Sequence, residues 1–212
     1  MKKPNFYFEE KLWKKGYQVI GIDEVGRGAL AGPLVLAGVC FLPDSKNKIK
    51  NIGINDSKKL TAKKRKKLAL VIKKQSQFYI ISKISVRYIN KYGIIKAFQK
   101  AVREIVKKTR NFFLKEKLFI LIDGFYVKYL RGIGLKNQKA IIKGDEKSIS
   151  IASASIVAKV YRDSLMKKLG QKYKKYQLEK NKGYGTKEHI KALKKYGPTK
   201  IHRQLFLKKI LK

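Results

Sequence analysis

Gly21-Ile22-Asp23-Glu24-Val25-Gly26-Arg27-Gly28 is the stretch on which the reading of this chain turns. It closes an apolar run, residues 17–23, whose Val and Ile content suits a strand. It then opens a glycine-rich segment, 26–33, leading to a second strand at 34–42. With 53 basic and 14 acidic residues, two adjacent carboxylates at a strand end are conspicuous. They oppose binding if the chain merely grips phosphates. They make sense if they hold a divalent cation against a phosphate.

Two further strand ends repeat the pattern. Leu118-Phe119-Ile120-Leu121-Ile122-Asp123-Gly124 is a short apolar run of the kind buried on both faces of a helix-covered sheet. Ala140-Ile141-Ile142-Lys143-Gly144-Asp145 resembles it. Ligands in open α/β sheets gather beyond the carboxyl ends of strands. If these strands are neighbours, Asp23, Glu24, Asp123 and Asp145 share one pocket, where repulsion raises their pKa values and a cation relieves it. All-oxygen donors match Mg²⁺ or Mn²⁺. Taken singly, each acid has a plainer reading. Asp-Gly is a common turn, Asp145 suits a helix cap, and Glu24 points away from Asp23 unless the strand bulges.

The remaining pattern alternates helices and strands. Thr61 is placed to cap a helix running to about 75, after a basic loop at 44–60. Residues 78–86 carry Ile80, Ile84 and Val86 at period two. From Ile94, apolar positions at 94, 95, 97, 98, 101, 102, 105 and 106 mark an amphipathic helix. Residues 147–169 read as a helix whose small first half allows close approach to the sheet. A basic linker, 171–183, and two short segments, 186–196 and 203–211, follow. The fold class expected is α/β.

The 212 residues suit one domain with a sizeable core. A net charge of +39 points to polyanion partners. Only eight of the basic residues are Arg, so most of the lysine excess is assigned to solvated faces. Cys40 stands alone, without a disulfide framework or cysteine zinc site, and reads as a small buried hydrophobe. His189 and His202 read as surface or structural. Lys2 and Lys3 lead into aromatic and acidic residues rather than a signal-peptide core, and no apolar run spans a membrane. A cytoplasmic setting, no membrane partner and a monomer are expected.

These motifs together resemble ribonuclease HII. Leu30-Ala31-Gly32-Pro33 extends the first motif. Asn55-Asp56-Ser57-Lys58-Lys59-Leu60, Ile122-Asp123-Gly124 and Lys143-Gly144-Asp145 follow in order. So do residues 151–160 with Arg162-Asp163, then Lys182-Gly183-Tyr184 with Thr186 and His189, and finally His202-Arg203. The similarity runs over about residues 12–207. It implies an RNase H-like fold, a mixed β-sheet flanked by helices, in one catalytic domain over 1–212 with about 171–212 as its helical C-terminal extension.

The resemblance also implies the activity: cleavage of RNA in RNA–DNA hybrids, and of duplex DNA on the 5′ side of embedded ribonucleotides, leaving 5′-phosphate and 3′-hydroxyl ends. Asp23, Glu24, Asp123 and Asp145 map to the family's catalytic and metal-binding carboxylates, which use two divalent cations, Mg²⁺ or Mn²⁺. This acid set favours the HII type over its sister HIII. Gly26, Arg27 and Gly28 match the segment that senses the 2′-hydroxyl through backbone groups. Tyr184 matches a tyrosine packed on the sugar, and Lys58 a phosphate contact. Lys59 and the 63–67 run read as solvated surface, and Asp163 as structural. Gly185 stands where some relatives have Pro, which loosens the Tyr184 loop; Leu205 stands where Ser is common. The alternatives are a non-catalytic basic nucleic-acid-binding protein, or another two-metal nuclease such as a junction resolvase.

Overall fold

The computed structural model describes residues 3–208 and 210–211. Residues 1, 2, 209 and 212, which belong to the expected domain, lie outside the described residues. In chain order the elements are α1 (Tyr7–Trp13), β1 (Tyr17–Val25), β2 (Leu34–Cys40), α2 (Lys46–Lys50), α3 (Ala62–Gln75), β3 (Phe78–Ile84) and α4 (Val86–Phe112). There follow β4 (Lys117–Asp123), β5 (Gln138–Ile141), α5 (Ile149–Lys172), α6 (Leu178–Asn181), α7 (Lys187–Tyr196) and α8 (Gln204–Leu207).

Five strands form one sheet in the order β3-β2-β1-β4-β5. The first three are antiparallel, and β1, β4 and β5 are parallel. The mixed sheet therefore brings β1 and β4 side by side with their carboxyl ends together. Alternation along β1 divides its residues between two cores. Ile20 and Ile22 pack with Ile120, Ile122 and Ile105 of α4. Val25 joins Val35, Val39, Ile72 and Ile156 on the opposite face. Burying each such side chain contributes about 1.5–3 kcal/mol.

The small first half of α5 does approach the sheet closely. A Cβ added at Gly21 would lie 2.3 Å from the Ser150 carbonyl carbon, so only glycine admits the helix there. Thr61 caps α3 as expected, accepting from Lys64 N at 3.2 Å. Cys40 is fully buried.

Several expectations are corrected. Val86 begins α4 rather than ending a strand, because Ser85 Oγ takes up the Tyr88 N–H at 3.2 Å and starts a helix. Gly93, at φ 81°, kinks that helix one residue before its amphipathic stretch. The 44–60 loop contains α2 and a single turn at Ser57–Lys59. The 171–183 linker contains a turn at Lys174–Tyr176 and α6, held by buried Tyr176 and Leu178. The aromatic, acidic N-terminal stretch forms α1. Among the described residues no helix is long and apolar enough to cross a membrane.

Candidate active site

Asp23 and Glu24 sit in the last three residues of β1, in unbroken register with β2. No bulge is needed to bring them together. The pocket lies off the end of the sheet, so side chains from both faces reach it. Its volume is about 440 Å³, and Asp23, Glu24, Asp123, Asp145, Arg27, Gly28, Lys58 and Tyr184 are among its lining residues. Every sequence-predicted site residue lines it, Gly26 included. A larger hollow of about 660 Å³ beside α1 has one acid in its lining, Glu10, paired with Lys46 at 2.6 Å, and none of these groups.

Burial pushes the Asp23 carboxyl well above the ordinary carboxylate range, and the charge of Glu24 and then Asp123 adds to the rise. The Ser155 hydroxyl and the Glu24 N–H, at 2.7 Å, work against it. Glu24 is also raised, first by burial, while Arg27 at 3.6 Å opposes. Asp123 is raised by burial and by Asp145, and its Oδ1 accepts the Gly144 N–H at 2.6 Å. Asp145 is not a helix cap. It lies in a turn, Gly144–Glu146, and Ser148 caps α5.

Among the described residues no three His, Cys, Asp or Glu side chains close into a compact metal-binding group. The carboxylates line one pocket without forming a finished cage. Their chemistry fits a hard divalent cation: oxygen donors only, mutually repelling, with few hydrogen-bond donors to satisfy them.

Lys58 Nζ lies 3.7 Å from Asp145 Oδ2, with its side chain 80% exposed. Burial lowers its pKa, but the attraction of Asp145, Asp56, Asp23 and Asp123 outweighs that and holds it above the usual value. Lys59 is less free than expected, pairing with Glu146 at 3.6 Å. Arg27 is flanked by the rings of Phe125 at 4.6 Å and Phe98 at 5.5 Å. Asp163 is structural, holding Lys159 at 2.8 Å, and Lys159 itself reaches the pocket.

The two glycines of the first motif do different work. Gly28 is exposed, and a Cβ there would meet nothing within 4 Å, so its backbone is open to a ligand. Gly26 is buried at φ 88°, and a Cβ there would lie 2.1 Å from Arg162 Nε. That guanidinium donates to the carbonyls of Pro33 (3.0 Å), Ala31 (3.0 Å) and Lys182 (2.8 Å). Arg203 donates to Gly32 O and, at 2.9 Å, to Arg27 O. Arg162 thus ties the glycine-rich segment to the loop of Tyr184, and Arg203 ties it to the C-terminal stretch. Nothing local to Arg162, between Tyr161 and Asp163, or to Arg203, before a four-residue helix, announces this role.

The histidines are not at the surface. His202 and His189 are buried, with their Nε2 atoms 3.3 Å apart. Thr199 N–H donates to His202 Nδ1 at 2.9 Å, which puts the His202 proton on Nε2, toward His189. His189 Nδ1–H is then left to donate to Tyr184 O at 2.9 Å. This relay and the Thr186 N–H, also at 2.9 Å, hold the Tyr184 carbonyl despite the glycine at 185.

The sheet order and the acidic pocket off its end place the molecule among enzymes of the ribonuclease H fold. A family model described as Ribonuclease HII matches residues 20–209. The ribonuclease HII of Caldicellulosiruptor bescii is 47% identical, over 97% of this chain and 95% of its own. That of Caldanaerobacter subterraneus subsp. tengcongensis is 46% identical, over 97% and 81%. The structure of the PCNA:RNase HII complex from Archaeoglobus fulgidus superposes with a TM-score of 0.73 at 27% identity, covering 88% of this chain and 94% of that one. The chain belongs to the ribonuclease HII family. It is a ribonuclease H, an activity directed at RNA–DNA hybrids, which removes the non-catalytic alternative.

Proposed function

We propose that this ribonuclease H also cuts duplex DNA on the 5′ side of single embedded ribonucleotides, and that residues 1–212 act as one catalytic unit with about 171–212 as its extension. The observation carrying the reading is that the carboxylates share one pocket with the open Gly28 backbone and with Tyr184. Asp23, Glu24, Asp123 and Asp145 would hold two divalent cations, Mg²⁺ or Mn²⁺. When bound, these supply the Lewis acidity that hydrolysis of a phosphodiester requires.

The chain's own residues select and orient. A water oxygen, losing a proton to solvent, bonds to phosphorus as the bond to the departing 3′ oxygen breaks; that oxygen takes up a proton from solvent, leaving a 3′-hydroxyl and a 5′-phosphate. Gly26, Arg27 and Gly28 read the 2′-hydroxyl, the group that separates RNA from DNA. Arg27, held between Glu24 and two rings, stiffens that segment. Tyr184 packs on the neighbouring sugar, and Lys58 reaches a phosphate. The enzyme acts as a monomer away from membranes, in the cytoplasm.

The test is cleavage of a labelled DNA duplex with one ribonucleotide against an all-DNA control, in Mg²⁺, Mn²⁺ or EDTA. One metal-dependent cut on the 5′ side of the ribonucleotide is expected. Equal cutting of both duplexes would overturn the assignment of Gly26–Gly28 and Tyr184; cutting in EDTA would overturn the metal site.

A further inference from the structure

Glu9, on α1, is fully buried, yet among the described residues no cation pairs with it. Its Oε1 accepts the Ser148 hydroxyl at 2.6 Å and the Ser150 N–H at 2.9 Å. Its Oε2 has no partner among the described residues. The carboxyl thus sits against the first turn of α5, where unpaired N–H groups and the helix dipole favour negative charge. A second tie runs alongside: Asn5 N donates to Lys147 O at 3.2 Å, and Ile149 N donates to Asn5 O at 3.1 Å.

That turn leads directly to the acids. Ser148 N donates to Gly144 O at 2.8 Å, closing the turn that carries Asp145. Gly144 N in turn grips Asp123. Two residues further along, Ser150 lies against Gly21, two residues before Asp23. The start of α5 therefore sets where Asp145 stands relative to Asp123 and Asp23.

We propose that Glu9 is a positioning residue for the Asp145 carboxylate, so that the cation affinity of the pocket depends on a side chain outside it. This rests on the metal-site reading above. Partners behind metal ligands commonly change affinity by about 10–100-fold when removed. The isosteric amide of Glu9→Gln retains an oxygen for Ser148 and Ser150, whereas Glu9→Ala removes both contacts.

The experiment is Mn²⁺ binding to the whole protein, followed by the electron paramagnetic resonance signal of free Mn²⁺, with the Mg²⁺ dependence of hybrid cleavage measured alongside. Glu9→Ala should weaken Mn²⁺ binding by about tenfold and require about tenfold more Mg²⁺, with kcat at saturating metal within about twofold of the parent. Glu9→Gln should restore parental binding. A folded Glu9→Ala protein with the parental isotherm overturns the proposal, and so does a Glu9→Gln protein as weak as Glu9→Ala. Should Glu9→Ala not fold, Ser148→Ala takes its place, and unchanged binding there overturns it equally. Asp145→Asn separates the two readings: parental Mn²⁺ binding in that variant removes the metal site itself, whereas weakened binding there beside an unchanged Glu9→Ala removes only the role of Glu9.

Discussion

Asp23 and Arg162 are both buried ionisable side chains without an ion-pair partner among the described residues, and they stand on neighbouring elements. Arg162 is complete: each of its three guanidinium nitrogens donates to a backbone carbonyl. Asp23 is not, because the sheet end supplies only the Glu24 N–H and the Ser155 hydroxyl while setting Glu24 and Asp123 nearby. A guanidinium can be satisfied by carbonyls, which every loop supplies in excess. Clustered carboxylates need donors or cations, and a strand end offers few N–H groups. The first arrangement serves rigidity, and the second leaves chemistry to be done.

Asp23→Asn strikes the unfinished side and should produce the largest effect. Cleavage should fall by more than the about 10–100-fold seen when an outer partner of a metal ligand is lost, with duplex binding retained. The same variant should stabilise the metal-free protein. The Asp23 pKa is raised on folding, so its ionisation opposes the fold, and that cost appears as pH rises through the raised value. Melting curves should show the variant ahead at neutral pH, by about 2–4 °C for each kcal/mol relieved, and level at acid pH. A variant that melts with the parent at neutral pH would break the contrast with Arg162.

Arg162→Met strikes the finished side. It strands one buried carbonyl, of Ala31, and two partly buried ones, of Pro33 and Lys182, at about 1–3 kcal/mol for a buried unsatisfied group, so urea unfolding should report a loss of about 2 kcal/mol or more. A loss below about 1 kcal/mol would mean that the ties through Pro33, Ala31 and Lys182 contribute little.

The smallest effect sharpens the picture on the finished side. Burial, then the neighbouring His189, pushes His202 down from 6.5 to about 4. Its neutral form therefore contributes stability that is present above 6.5 and lost as pH falls toward about 4. Imidazole proton NMR should show no titration of His202 near 6.5; a titration there would place it at the surface.

Much of this was readable before any coordinates. Apolar runs and one period-two stretch located the strands, a 3.6-residue period located the long amphipathic helix, and aspartates at or just beyond three strand ends located the pocket. The parts that escaped were those whose local pattern competes with a tertiary partner. Residues 7–13 have too little apolar periodicity to announce a helix, and Glu9 reads as an ordinary surface acid until α5 covers it. Tyr176 and Leu178 sit in a lysine-rich stretch that looks like linker, and only burial against the C-terminal cluster orders it.

By itself the sequence determined the order of the strands and long helices, the four candidate acids and, through the ordered motifs, the family. Those depend on local spacing and residue type, which the chain carries in one dimension. Only the tertiary structure decided which glycine is open and which is filled by Arg162, that both histidines are interior, and that a carboxylate on the first helix grips the turn beside Asp145. Each of these is a contact between residues far apart in the chain, set by how the helices pack on the sheet rather than by any local preference.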